Sequence, residues 1–205
     1  MEQHRIDQHS SDQQGIGESG AQDSIDRVWL KKARNQFDTL YTAIRDMVYY
    51  RELRRLASDD RVTQVMLDHL RIALLGSIVI NWNKLFALEK SEEAWKRLTA
   101  ESAGFRTRVY SATGFDYQQW SDYRKSVREF SARLHAHFDS SHHLENQLEL
   151  EPMFRVLEVA HRWMHQLYQG QEALACDDLL KADYIEQLAS AVRERLREWP
   201  RLRQG

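Results

Sequence analysis

Residues 116–139 read DYQQWSDYRKSVREFSARLHAHFD, and the architecture of the chain hangs on them. Trp120, Tyr123, Val127, Phe130, Leu134 and Phe138 recur at intervals of three and four. That spacing lines up one apolar stripe of an α-helix, where a half-buried strand would alternate at every second residue. Asp116 suits the N-cap of this helix, and Gln119 three positions on completes a capping-box arrangement. The segment ends in a dense group of ionisable side chains: Arg128, Arg133, His135, His137 and Asp139 all lie beside the stripe.

The same period extends to both sides. Upstream, Ser24 is a suitable cap for a first helix carrying Phe37, Leu40, Ile44, Met47 and Val48 to about Leu56. After the turn Ala57-Ser58-Asp59-Asp60, with Ser58 or Asp59 as cap, a second helix is expected over about residues 60–88. Its middle, residues 72–80, is apolar almost all round, which predicts the most buried helix of the bundle. A short helix starts at Ser91, and Gly104 and Gly114 bracket another short segment. Downstream of a polar linker over residues 140–149, Pro152 suits the first turn of a helix that runs to about Gln169 and stops at Gly170. A last helix is expected over about residues 177–198, before Pro200.

Composition agrees. Two Pro and eight Gly in 205 residues leave few breaks, and no window alternates long enough for a strand. The fold class expected is all-α: four long helices plus one or two short ones in a single domain over residues 23–205. Residues 1–22 form a polar, Gly/Ser/Gln-rich tail expected to be disordered. A net charge of −2 carries no global case for nucleic acid. A single cysteine, Cys176, excludes an internal disulfide and fits a reducing compartment. No signal-peptide core is visible, and the apolar run 72–80 is too short to span a bilayer. A soluble, cytoplasmic protein without membrane contact is expected.

Three sites are conceivable on residue types. The first is metal-independent RNA cleavage, in which an Arg holds a phosphate and a His moves a proton at a ribose hydroxyl. Helical geometry sorts the pairs. Arg128 and His135, seven apart, fall within about 20° of each other, and Arg133 and His137, four apart, are offset by about 40°. His135 and His137 point to nearly opposite sides, so the two pairs share a pocket only if the helix unwinds or a second chain contributes. The plainer alternative makes His137 a hydrogen-bonded core-boundary residue and the arginines a solvated face. The second site is a metal cluster from His135, His137, Asp139, His142 and His143, or the i,i+4 pair His161 and His165. Nothing there matches a specific metal motif, and scattered histidines are the ordinary reading; no metal or other cofactor is expected. The third is a nucleic-acid contact by Arg193, Arg195, Arg197, Arg201 and Arg203, although interleaved Glu194 and Glu198 suit a solvated helix end.

From about Leu74 to Tyr168 the chain resembles HEPN-domain proteins of the abortive-infection, antiviral-defence type. The resemblance lies in Asn81-Trp82-Asn83-Lys84-Leu85-Phe86, Ala94-Trp95-Lys96, Phe105-Arg106, Trp120, Tyr123, Phe130, Ala136-His137-Phe138-Asp139 and Pro152. It implies a helical, usually dimeric fold and a metal-independent endoribonuclease whose Arg-x4-6-His motifs meet across the dimer. Carried over by position, His137 takes the place of the catalytic His, and the family's Arg falls at Ser131. Arg133 lies too close to His137 for the motif, while Arg128 with His135 satisfies the spacing in another register. The expected partners are RNA, tRNA included, a second copy of the chain, and a partner protein encoded nearby. The alternative is a catalytically silent helical binding module that pairs with itself or with another protein.

Overall fold

The computed structural model describes residues 17–88, 94–97, 102–136, 148–168, 181, 183–199 and 203–204. Among these, six α-helices form the fold: α1 (Gly17–Leu53), α2 (Arg61–Trp82), α3 (Ser102–Thr113), α4 (Tyr117–Ala136), α5 (Glu151–Tyr168) and α6 (Tyr184–Arg197). The described residues are all-α apart from one two-residue antiparallel ladder, β1 (Leu56–Ala57) with β2 (Arg203–Gln204). Sequence periodicity offered no hint of it, since two residues per strand carry no alternation.

Helix α1 starts at Gly17, inside the stretch expected to be disordered, and Ser24 lies within it rather than capping it. Once the downstream turns exist, each added residue gains a hydrogen bond without repeating the cost of nucleation, so the helix extends backwards through Ala21 and Gln22. It continues unbroken to Leu53 and supplies Phe37, Leu40, Ile44, Met47 and Tyr50 to the core. The next cap is Asp60, one residue beyond the two proposed from sequence; its carboxylate accepts the Thr63 N–H at 2.9 Å. Ser58 instead accepts the Asp60 N–H at 3.2 Å. Arg71 fastens the turn from α2, donating to the carbonyls of Leu53 and Leu56 and to Asp68.

The expectation that α2 is the most buried helix is overturned. Its inner side buries Leu67, Ile72, Leu75, Ile78, Val79 and Trp82, while Val62, Val65, Met66, Leu70 and Ile80 face outwards, Val62 77% exposed. A helix apolar all round can serve two surfaces, and among the described residues only one of them joins the core. The continuous helical run Arg61–Ala87 is, by length and composition, long enough and apolar enough to cross a membrane, with 28% of the relevant window buried. Residues 72–80 alone are shorter than a span, but the helix that carries them is not.

Past Trp82 the backbone widens into a π-helical turn over Asn83–Ala87, closed by Leu88 N–H donating to the Asn83 carbonyl at 2.8 Å. One 3-10 turn, Trp95–Arg97, precedes α3; the helix expected from Ser91 lies mostly outside the described residues. Gly104 is not a boundary but an interior residue of α3, where a Cβ would come within 3.2 Å of Trp163. Gly114, at φ +75°, does end α3. Helix α5 is the deeply buried one, with Met153, Phe154, Val156, Leu157, Ala160 and Trp163 all in the core. The expected stop at Gly170 and the first residues of the expected last helix fall outside the described residues.

Candidate functional site

Helix α4 is set in place from both ends. Asp116 and Gln119 form the expected reciprocal box: Gln119 N–H donates to the Asp116 carboxylate at 2.8 Å, and Asp116 N–H donates to the Gln119 side chain at 2.9 Å. Trp120, Tyr123, Val127, Phe130 and Leu134 are all buried, as the three/four spacing requires. The far end lies against α2, where Leu134 comes within 3.6 Å of the Cβ position of Gly76.

Aromatic rings continue the anchorage. Trp82 stands edge-on to Trp120 and Tyr123, with centroids 5.8 and 6.0 Å away. Phe86 is 5.3 Å from Trp82 and stacks on Phe105 at 6.0 Å, and Trp95 lies 4.6 Å from Phe105. The separate sequence fragments Asn81–Phe86, Ala94–Lys96, Phe105, Trp120 and Tyr123 therefore converge in one aromatic cluster behind α4. Tyr123 also ties α4 to α5: its hydroxyl donates to the Glu149 carbonyl at 2.7 Å and accepts the Met153 N–H at 3.1 Å. The second bond satisfies one of the free amides in the first turn of α5. Burial pushes the Tyr123 phenol above its ordinary range, and the Glu149 charge adds to the rise.

Arg128 and Arg133 are both exposed on α4, and neither makes an ion pair among the described residues. The helix is continuous through both, which sets them about 140° apart around the axis and about 7.5 Å apart along it. They flank opposite edges of the buried stripe, so a single chain does not bring them into one pocket. Arg128 follows Arg124 by one turn on the edge where Arg124 reaches the Ala87 carbonyl of the π-turn at 3.4 Å. His135 lies in the last turn of α4; His137 and Asp139 lie outside the described residues. Ser131, where the resemblance puts an arginine, is half-buried.

Among the described residues no group of three His, Cys, Asp or Glu could hold a metal ion. His161 is buried with its ring 6.0 Å from that of Tyr184, a packing position between α5 and α6. His142 and His143 lie outside the described residues.

Two polar centres escaped sequence reasoning. Asp46 of α1, buried, accepts from Ser77 of α2 and from Arg45 at 2.9 Å. Glu52, also buried, holds Arg55 and Arg193, the latter 141 positions away. No local spacing announces such a partner; the only signal was a carboxylate on the buried stripe of α1. No family model matches the chain, and neither a curated protein nor a solved structure matches it.

Proposed function

We propose that this chain is an HEPN-like, RNA-acting protein of bacterial or phage defence, working in the cytoplasm as a homodimer. The observation that carries the reading is the pair Arg128 and Arg133, exposed and free of ion pairs among the described residues. They stand on the helix whose continuation carries Ala136-His137-Phe138-Asp139. In this reading a guanidinium holds the scissile phosphate, and His137 moves the proton while the ribose 2′ hydroxyl attacks. Arg133 belongs with His137, and Arg128 with His135. Arg128 and Arg133 diverge on the continuous helix, and in this reading closing a site around one RNA needs a second copy.

The outer face of α2 supports a second copy as its occupant. Antiparallel pairing centred on Ala73 would set Met66 opposite Ile80 and bring the acidic turn Asp59-Asp60 of one copy near Lys84 of the other. Ala73, small and exposed, allows close approach at the crossing, and opposed helix dipoles favour this direction.

The test is incubation of the purified protein with total RNA and with tRNA, with and without EDTA, beside His137→Ala, Arg128→Ala and Arg133→Ala. Cutting that resists EDTA and is lost in His137→Ala is the expected result. Undiminished cutting by His137→Ala, or cutting abolished by EDTA, overturns it. The second reading, a silent binding module, is favoured by the half-buried Ser131 at the arginine position; no cutting in any lane would select it. The α2 face would then serve the second copy or a partner protein encoded nearby.

A further inference from the structure

A cavity lies in the interior where α1, the π-turn, the 3-10 turn, α3 and α5 come together. About 320 Å³ there, its mouth included, is not filled by protein. Phe86, Trp95, Phe105 and Trp163 supply four aromatic rings to its walls, Met164 a thioether, and Gln36 of α1 an uncharged polar side chain. All six are buried, Trp95 the most exposed of them at 8%. No charged residue lines the cavity among the described residues.

The walls are held by their own neighbours. Phe105 stacks with Phe86 at 6.0 Å, lies 4.6 Å from Trp95 and stands edge-on to Trp163 at 6.0 Å. The Trp163 ring is fixed from two further directions. Its Cη2 edge comes against Gly104, where a Cβ would be only 3.2 Å away, and the Arg108 guanidinium lies over its face at 4.7 Å. Arg108 is itself tied to Gln166 at 2.7 Å. A site with walls fixed in this way asks little reorganisation of itself when a ligand enters. The Trp163 indole Nε1 is buried and donates to nothing among the described residues. A buried donor in that condition carries its full desolvation cost until an acceptor reaches it.

We propose that this cavity is a binding site for a small, neutral, planar molecule with an apolar body and one hydrogen-bond acceptor, received by the Trp163 N–H. The four rings and Met164 take the flat apolar body. An ionised ligand would be buried here with no counter-charge, which excludes phosphates, nucleotides and carboxylates. The volume lies at the lower end for small-molecule sites, so the body is one ring or two fused rings. Apolar cavities stay dry and accept such rings, while the N–H selects those that bring an acceptor. The site is separate from Arg128 and Arg133, and it stands or falls independently of RNA cleavage.

The indole N–H signals of the ¹⁵N-labelled full chain read the site directly. The protein has six tryptophans, and the signal missing from Trp163→Phe assigns the one that matters. The probes are 1-indanone and indane, which share two fused rings and differ in the carbonyl. 1-Indanone should move the Trp163 signal downfield in a saturable way, with a Kd of about 0.1–1 mM. Indane should bind about tenfold more weakly, having no acceptor for the N–H. Benzoate should leave the signal in place. Ala160→Leu, which fills the cavity from α5, should abolish the shift. No saturable shift with 1-indanone, equal affinity for the two probes, a shift with benzoate, or full binding by Ala160→Leu would each overturn the proposal. The comparison of probes on the native chain needs no variant, so it decides even where Ala160→Leu fails to fold.

Discussion

Helices α2 and α5 are both rich in apolar residues, and the structure uses them in opposite ways. On α5 the polar residues Glu151, Arg155, Glu158, Arg162 and Gln166 fall on one line at intervals of three and four, leaving the other residues from Pro152 to Met164 for the core. On α2 the apolar residues go all the way round, yet the outer row Val62, Val65, Met66, Leu70 and Ile80 meets no part of the described core. Segregation of polar from apolar residues, not total apolar content, marked the buried helix. A second apolar face on a helix that already has a packed one points to something outside the described core.

The largest effects belong on the buried side of this contrast. Phe105 is buried among Phe86, Trp95 and Trp163, and Phe105→Ala should lower stability by about 3–5 kcal/mol in urea unfolding. Val62→Lys on the α2 outer face should change it by no more than about 0.5 kcal/mol, measured at a concentration where the chain is monomeric. Comparable losses in the two variants would mean that the outer face of α2 is covered within the chain, and the contrast between the helices would collapse.

Tyr123→Phe comes next. It keeps the ring in the aromatic cluster but removes the bond to the Glu149 carbonyl and leaves the Met153 N–H without its acceptor. A cost of about 1–2 kcal/mol is expected. The same residue gives a pH dependence. In the folded chain the phenol keeps its proton above its ordinary value of 10, where the unfolded chain releases it. The folded state then binds more protons than the unfolded one, so stability is complete below pH 10 and falls as pH rises further, at up to about 1.4 kcal/mol per unit. Tyr123→Phe should lose that alkaline decline; the same slope in both proteins would show that it comes from other groups.

These residues also show what sequence can and cannot disclose. The stripe Trp120 to Leu134, its Asp116–Gln119 box and the start of α5 near Pro152 were legible because they rest on local spacing and local hydrogen bonds. The orientation of α2 was not: its two apolar faces look alike until α1 and α4 cover one of them. The start of α1 was missed because propagation from a formed helix overrides the weak propensity of a Gly- and Gln-rich stretch. The double clamp on Glu52 was invisible because one of its partners lies 141 positions away. At the candidate site, helical geometry already implied that Arg128 and Arg133 diverge, and α4 is unbroken as far as Ala136.

The smallest effect on the fold, and the most informative for assembly, is expected from Val65→Glu/Met66→Glu. Both side chains are on the outer row of α2, away from Leu67 and Ile72 on the inner side, so thermal unfolding of the monomer should shift by about 2 °C or less. Against a second copy the same change sets two carboxylates into an apolar contact and, in the antiparallel arrangement, near Ile80 of the other chain. Sedimentation equilibrium should show dimer for the native chain and monomer for the variant, a shift of at least a hundredfold in the dissociation constant. A native monomer, or a variant that still dimerises, would separate the outer face of α2 from self-association and leave it to a different protein.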